Sequence, residues 1–76
     1  MPEQVPNLQP VSSTNLAAIG YDASSQNLYI QWKDGRISVY EGVPSLIVSD
    51  LQNASSPGWA FNETIKDRYK HRYVSQ

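Results

Sequence analysis

The chain has no cysteine, which excludes a disulfide framework, a thiolate metal site and thiol catalysis. It has one histidine, His71, too few for a His-based metal centre. No catalytic residue, metal site or cofactor is therefore expected. Long apolar runs are also missing. The longest is Leu16-Ala17-Ala18-Ile19, far short of the ~20 residues that span a bilayer. The start, Met1-Pro2-Glu3-Gln4, shows neither the basic nor the apolar stretch of a secretory leader, so a cytoplasmic setting, or a host cytoplasm, is expected. Charge of one sign is absent too. Lys plus Arg is 6 and Asp plus Glu is 7, for a net charge of -1. Binding driven by bulk positive charge is thereby excluded.

What remains is a 76-residue chain, room for one domain only. Aromatic residues are 11% of it, with two Trp and five Tyr. So small a domain buries only about 60% of its unfolded surface, so large rings must supply much of its core. Oligomerisation is one further source of stability.

Residues 1–11 hold Pro2, Pro6 and Pro10 and little to bury beyond Val5 and Leu8. This predicts a disordered, Pro-rich arm whose removal leaves folding intact. The domain is expected over 12–73, with 74–76 as a tail. From Asn15 onward apolar residues alternate. Ala17, Ile19 and Tyr21 form one set, Leu28, Ile30 and Trp32 a second, Ile37 and Val39 a third. Period-two spacing with β-branched and aromatic residues predicts three strands. Asp34-Gly35 signals a two-residue hairpin loop, which would place Trp32 opposite Ile37, Ile30 opposite Val39 and Tyr29 opposite Tyr40. A four-residue loop over 23–26 would set Tyr21 against Leu28, Ile19 against Ile30 and Ala17 against Trp32.

After Gly42 the period lengthens. Val43, Leu46, Ile47 and Leu51 form one helical stripe, with Pro44 at its first position. Ser56 and Pro57 suit the start of a second helix, running from about 58 to 69 with Phe61, Ile65 and Tyr69 on one stripe. The predicted fold is α+β: a three-stranded antiparallel meander followed by two α-helices packed on one face. Its single core would be Ile19, Tyr21, Leu28, Ile30, Trp32, Ile37, Val39, Leu46, Ile47, Leu51, Phe61 and Ile65.

Four segments then carry a family resemblance. They are Val11-Ser12-Ser13-Thr14-Asn15-Leu16, Ile19-Gly20-Tyr21-Asp22, Val39-Tyr40 before Gly42-Val43-Pro44, and Phe61-Asn62 with Ile65-Lys66-Asp67-Arg68-Tyr69. In order and spacing they resemble the KTSC domain across residues 11 to 73. The resemblance implies a domain found alone in small bacterial and phage proteins and at the C-terminus of some lysyl-tRNA synthetases, a context that implies RNA binding. Ser38 stands where the family carries the first tyrosine of a Tyr-x-Tyr pair.

Candidate site residues fall into three groups. Tyr29 and Tyr40, with Gln31 and Ser38, would form a stacking platform on the sheet face away from the helices. The same pair would equally serve as an ordinary cross-strand contact or a dimer patch. Near the C-terminus, Lys66, Arg68, Lys70 and Arg72 interleave with Tyr69, His71 and Tyr73, a pattern that can hold phosphate and stack bases. The alternative is a solvated helix end whose cations complement the dipole. Arg68 is expected to pair with Asp22, Asp50 or a carbonyl. Asn62 is either a loop cap or a ligand contact. Ser12-Ser13-Thr14, Ser24-Ser25 and Ser55-Ser56 read as loops and caps, or as hydroxyls for phosphate. Glu63 and Asp67, spaced i, i+4, read as a solvated face.

The expected function is a small non-enzymatic binding module for RNA or a nucleotide. The alternatives are a protein-interaction module, for instance a phage-encoded accessory protein binding a host factor, and a homo-oligomer that sequesters a nucleotide signal.

Overall fold

A computed structural model describes residues 5–74. The element order is β1 (Gln9–Pro10), β2 (Leu16–Asp22), β3 (Asn27–Trp32), β4 (Ile37–Tyr40), α1 (Ser45–Asn53), α2 (Pro57–Thr64) and β5 (His71–Tyr73). The five strands form one antiparallel sheet in sequence order, and both helices lie on one face. The α+β class and the two helices agree with the sequence. The strand count does not: β1 and β5 extend the meander from three strands to five. Among the described residues no helix is long and apolar enough to cross a membrane.

The first hairpin matches its expected register. Tyr21 pairs with Leu28, Ile19 with Ile30 and Gly20 with Tyr29. Asp22 organises the loop by accepting the Ser24 backbone N–H at 3.1 Å and its hydroxyl at 2.7 Å. Those bonds hold the Asp22 carboxyl below its ordinary pKa. The end of this pair departs from expectation. An irregularity between Leu16 and Ala18 sets Leu16, not Ala17, against Trp32, and Leu16 is fully buried.

The second hairpin is shifted by one residue. The Trp32 N–H bonds the Arg36 carbonyl at 2.8 Å, and the Gly35 N–H bonds the Trp32 carbonyl at 2.9 Å. The loop is therefore three residues, Lys33 to Gly35, closed by Gly35 at φ +94°. Tyr29 now pairs with Val39, Ile30 with Ser38 and Gln31 with Ile37. A one-residue slip moves every side chain of a strand to the other face. Ser38 and Tyr40 thus join the helix side, while Ile37 and Val39 join Tyr29 on the opposite side. Gly35→Ala is expected to cost ~1–2 kcal/mol of backbone strain. A Cβ there meets nothing within 4 Å, so no clash adds to it. Thermal melting should show a fall of about 4–8 °C per kcal/mol. An unchanged Tm would contradict the left-handed turn.

The core is consequently two clusters, one on each face. The helix-side cluster contains Leu16, Ile19, Leu28, Ile30, Tyr40, Val43, Val48, Leu51, Phe61 and Ile65. Tyr21, Trp32 and Ile47 are half-buried against it. The Tyr21 hydroxyl donates to the Val43 carbonyl. Tyr29, Ile37 and Val39 form the second cluster, covered by Val5, Leu8 and Val74. Residues 5–10 are therefore not a disordered arm: they lie across the outer face, and Gln9–Pro10 pairs with Ile19 and Ala18. The rest of the expected arm, residues 1–4, lies outside the described residues, as do residues 75–76 of the tail.

Both helices differ from their expected stripes. Pro44 is the N-cap of α1, not its first residue, and Val48 and Leu51 are the buried positions. Leu46, expected in the core, is 70% exposed. α2 stops at Thr64, so Tyr69 is not on it. The Thr64 hydroxyl bonds back to the Ala60 carbonyl at 2.7 Å, a contact that competes with helix continuation. Asp67 then adopts φ +65°, turning the chain toward β5.

Candidate nucleic-acid interface

A row of aromatic rings crosses the helix side of the sheet. Trp32 and Tyr40 each meet Phe61 edge to face, with centroids at 5.3 and 5.2 Å. The Trp32 indole N–H donates to the buried Ser38 hydroxyl at 2.9 Å, which satisfies both groups. His71 stacks on Tyr40 at 5.1 Å with 20° between the rings. Burial raises the Tyr40 phenol above its ordinary pKa, and Tyr73 and Asp67 add to the effect.

β5 brings this row to the surface. It is held by Glu41 N–H to the Lys70 carbonyl at 2.9 Å and Val74 N–H to the Ile37 carbonyl at 2.8 Å. Its register sets His71 beside Tyr40, Arg72 beside Val39 and Tyr73 beside Ser38. Alternation therefore puts His71 and Tyr73 on the helix side and Arg72 on the other. Tyr73 is 60% exposed, and the Arg36 guanidinium lies 5.9 Å from its ring centroid. Beside them a hollow of about 310 Å³ is lined by Asp34, Gly35, Arg36, Ile37, Tyr73 and Val74.

The platform expected from Tyr29 and Tyr40 does not form. The slipped hairpin buries them on opposite faces, so neither ring is free to stack a ligand. Lys66 and Lys70 are exposed. Arg68 donates to the Glu63 carbonyl at 3.1 Å rather than to Asp22 or Asp50. Arg72 pairs with Glu41 at 3.4 Å across the sheet edge. Tyr69 is half-buried against the core, next to a hollow shared with Ile47, Glu63, Thr64 and Arg68. Asn62 sits elsewhere, on the exposed side of α2. His71 and Tyr73 were visible in the sequence as part of the interleaved segment. Arg36 had no local signal, because only the sheet order carries it to Tyr73.

The family comparison agrees with this architecture. The model of the KTSC domain matches residues 12–69. The chain belongs to the KTSC domain family. A KTSC domain protein from Yersinia pestis has the same fold in its crystal structure, with a TM-score of 0.85 and 34% identity over 91% of this chain and 97% of that one. A lysine–tRNA ligase of Nostoc punctiforme is 34% identical over 70 residues, covering 92% of this chain. The KTSC chain spans only 12% of that ligase. A protein of Tsukamurella paurometabola is 35% identical over 63 residues, covering 83% of this chain and 94% of its own length.

A third concavity of this KTSC domain lies beside α2. It measures about 470 Å³ and lies between residues 12–15 and the segment Ser55 to Asn62. Ser13 shapes one wall, its hydroxyl oxygen accepting the Asn15 and Leu16 N–H groups at 3.2 Å each. Gly58 forms the other. A Cβ on it would stand 3.2 Å from the Ser13 oxygen, so glycine lets the walls approach. Two of the serine clusters in the sequence are thereby brought together. Ser24-Ser25 is not, being spent in the Asp22 turn. Among the described residues no group of three or more His, Asp or Glu is placed to hold a metal.

Proposed function

We propose that this KTSC domain is a small non-enzymatic binding module for single-stranded RNA, with its contact surface along β5. The observation that carries the reading is the exposed Tyr73 ring with Arg36 over it, adjoining the His71–Tyr40 stack. Sheet-borne rings with flanking cations stack bases and hold phosphate without needing a high net charge. The occurrence of a similar segment in lysine–tRNA ligases supports the same reading.

The test is fluorescence anisotropy with a short labelled single-stranded RNA. Tyr73→Ala is expected to weaken binding about 5- to 150-fold, the equivalent of ~1–3 kcal/mol for one stacked base. Lys70→Ala should chiefly flatten the salt dependence. The cations nearest this surface are Lys66, Arg68, Lys70 and Arg36, the last already 3.5 Å from the Asp34 carboxylate, so the slope of log K against log salt should be no steeper than about -3, at ~0.7 per phosphate. No binding at low salt, where electrostatics are strongest, rejects the RNA reading. The net charge of -1 then favours a protein partner. A Tyr73→Ala chain that changes its elution volume instead assigns β5 to self-association.

A further inference from the structure

We propose that the cleft between residues 12–15 and the first turns of α2 binds a neutral sugar ring, stacked on Trp59 and hydrogen-bonded by the serine and asparagine side chains around it. The site is separate from the β5 surface and does not depend on the RNA reading.

The cleft has three features that select a ligand, the first being charge. Not one residue lining the cleft carries a charge, in a chain where 17% of residues do. A phosphate or carboxylate would lose its hydration there and gain no cation. The lining therefore favours a neutral ligand.

The second is the ring. Trp59 is 66% exposed, whereas Trp32 is half-buried and bonded to Ser38. Trp59 and Asn62 are spaced i, i+3, so they share the outward face of α2 while Phe61 and Ile65 point into the core. A flat apolar ring at the rim of a polar cleft suits a ligand with one apolar face and a polar edge. A pyranose has that shape, with axial C–H groups on one side and hydroxyls around its rim.

The third is the unspent hydrogen-bonding capacity. Ser56 occupies the N-cap of α2, yet its side chain makes no cap bond. The exposed side chains of Ser12, Thr14, Ser55 and Asn62, which all border the cleft, are likewise open to a ligand. Hydroxyl and amide groups both donate and accept, as sugar hydroxyls do. A wholly apolar ligand would strip these groups of water and leave them unpaired. The volume of about 470 Å³ lies within the ~300–1,000 Å³ usual for small-ligand clefts. The Ser13 bonds shape the turn on one side, and glycine at position 58 lets α2 come close to it.

The experiment is a two-dimensional amide NMR titration of the full chain with chitotriose, maltotriose and cellotriose, with adenosine as the contrasting probe. At least one trisaccharide should shift the Trp59 indole N–H, the Asn62 side-chain amide and the amides of residues 13–15. Affinity should be in the millimolar range, and the Trp32 indole should stay still. Trp59→Ala should weaken that binding at least tenfold, and Asn62→Ala severalfold. Both positions are exposed, so both variants should keep the wild-type spectrum elsewhere. No counterions are released by a neutral ligand, so the affinity should not change with salt. The proposal is overturned if no trisaccharide moves the Trp59 indole, if adenosine alone does so, or if the binding falls as salt rises.

Discussion

Phe61→Ala is expected to unfold the domain, or to leave it marginally stable. The Phe61 ring is buried and touches Trp32 and Tyr40 edge to face at 5.3 and 5.2 Å. It is the main apolar side chain by which α2 grips the sheet. α2 has eight residues, too few to persist as a helix without tertiary contacts. Removing a buried phenyl ring costs ~3–5 kcal/mol. A chain of this length has a total stability of ~4–11 kcal/mol at the usual per-residue value. The loss is therefore a large fraction of the whole. It should also free Tyr40 and so loosen the His71 stack. Urea unfolding followed by circular dichroism measures the change. Phe61→Leu, which keeps most of the volume, should cost less. Trp59→Ala, two residues earlier on the exposed face, should stay within ~0.5 kcal/mol of wild type. A Phe61→Ala loss below ~1 kcal/mol would show that α2 is not seated by this ring.

The parts of the fold that were legible in the sequence are those fixed by local chemistry. The loop over 23–26 sits between two alternating runs, and Asp22 caps it, so the register from Tyr21–Leu28 to Ile19–Ile30 follows from neighbours alone. Asp34-Gly35 was equally visible, but the dipeptide suits two loops. A two-residue loop uses both residues at positive φ. A three-residue loop uses only the glycine there, and this second loop is the one formed. Both registers offer apolar contacts to β4, because Ile37 and Val39 alternate with Ser38 and Tyr40, and a tyrosine can be buried as well as an isoleucine. The choice is settled by what covers the far face, namely Val5, Leu8 and Val74, which come from the two ends of the chain. Pattern reading along the sequence does not see that contact. The site followed the same rule. His71 and Tyr73 were legible as alternating aromatics, but the Tyr29–Tyr40 platform failed with the register on which it depended. The cleft beside Trp59 joins residues at least 40 positions apart, which only the packing of α2 against residues 12–15 brings together.

Deleting residues 1–10 is expected to lower the Tm by ~8–32 °C, although three prolines mark that segment as unstructured by composition. The outer sheet face carries Tyr29, Ile37 and Val39, each at least 95% buried. Part of that cover is Val5 and Leu8. Without them, three large apolar side chains on a five-stranded sheet would face water. Full burial of one such side chain is worth ~1.5–3 kcal/mol. Partial exposure of three, with the lost burial of two half-buried ones, amounts to roughly 2–4 kcal/mol by the same scale. At about 4–8 °C per kcal/mol this gives the stated range. The deletion also strips β1 from β2, leaving an unpaired strand edge beside an apolar surface, so the truncated chain should aggregate on heating. Gly20 supplies an independent check, because the arm crosses directly over it. A Cβ there would stand 2.9 Å from the Asn7 carbonyl oxygen and 2.9 Å from Leu8 Cδ2. The Leu8 contact can yield by rotation, but the Asn7 contact is backbone. Gly20→Val should therefore lift the arm off the sheet and shift the Tm in the same direction as the deletion. In the truncated chain Gly20→Val should shift it much less, since the clash is gone. Equal effects of Gly20→Val in the full and truncated chains, or a deletion that leaves the Tm within a few degrees, would show that the arm does not seal this face.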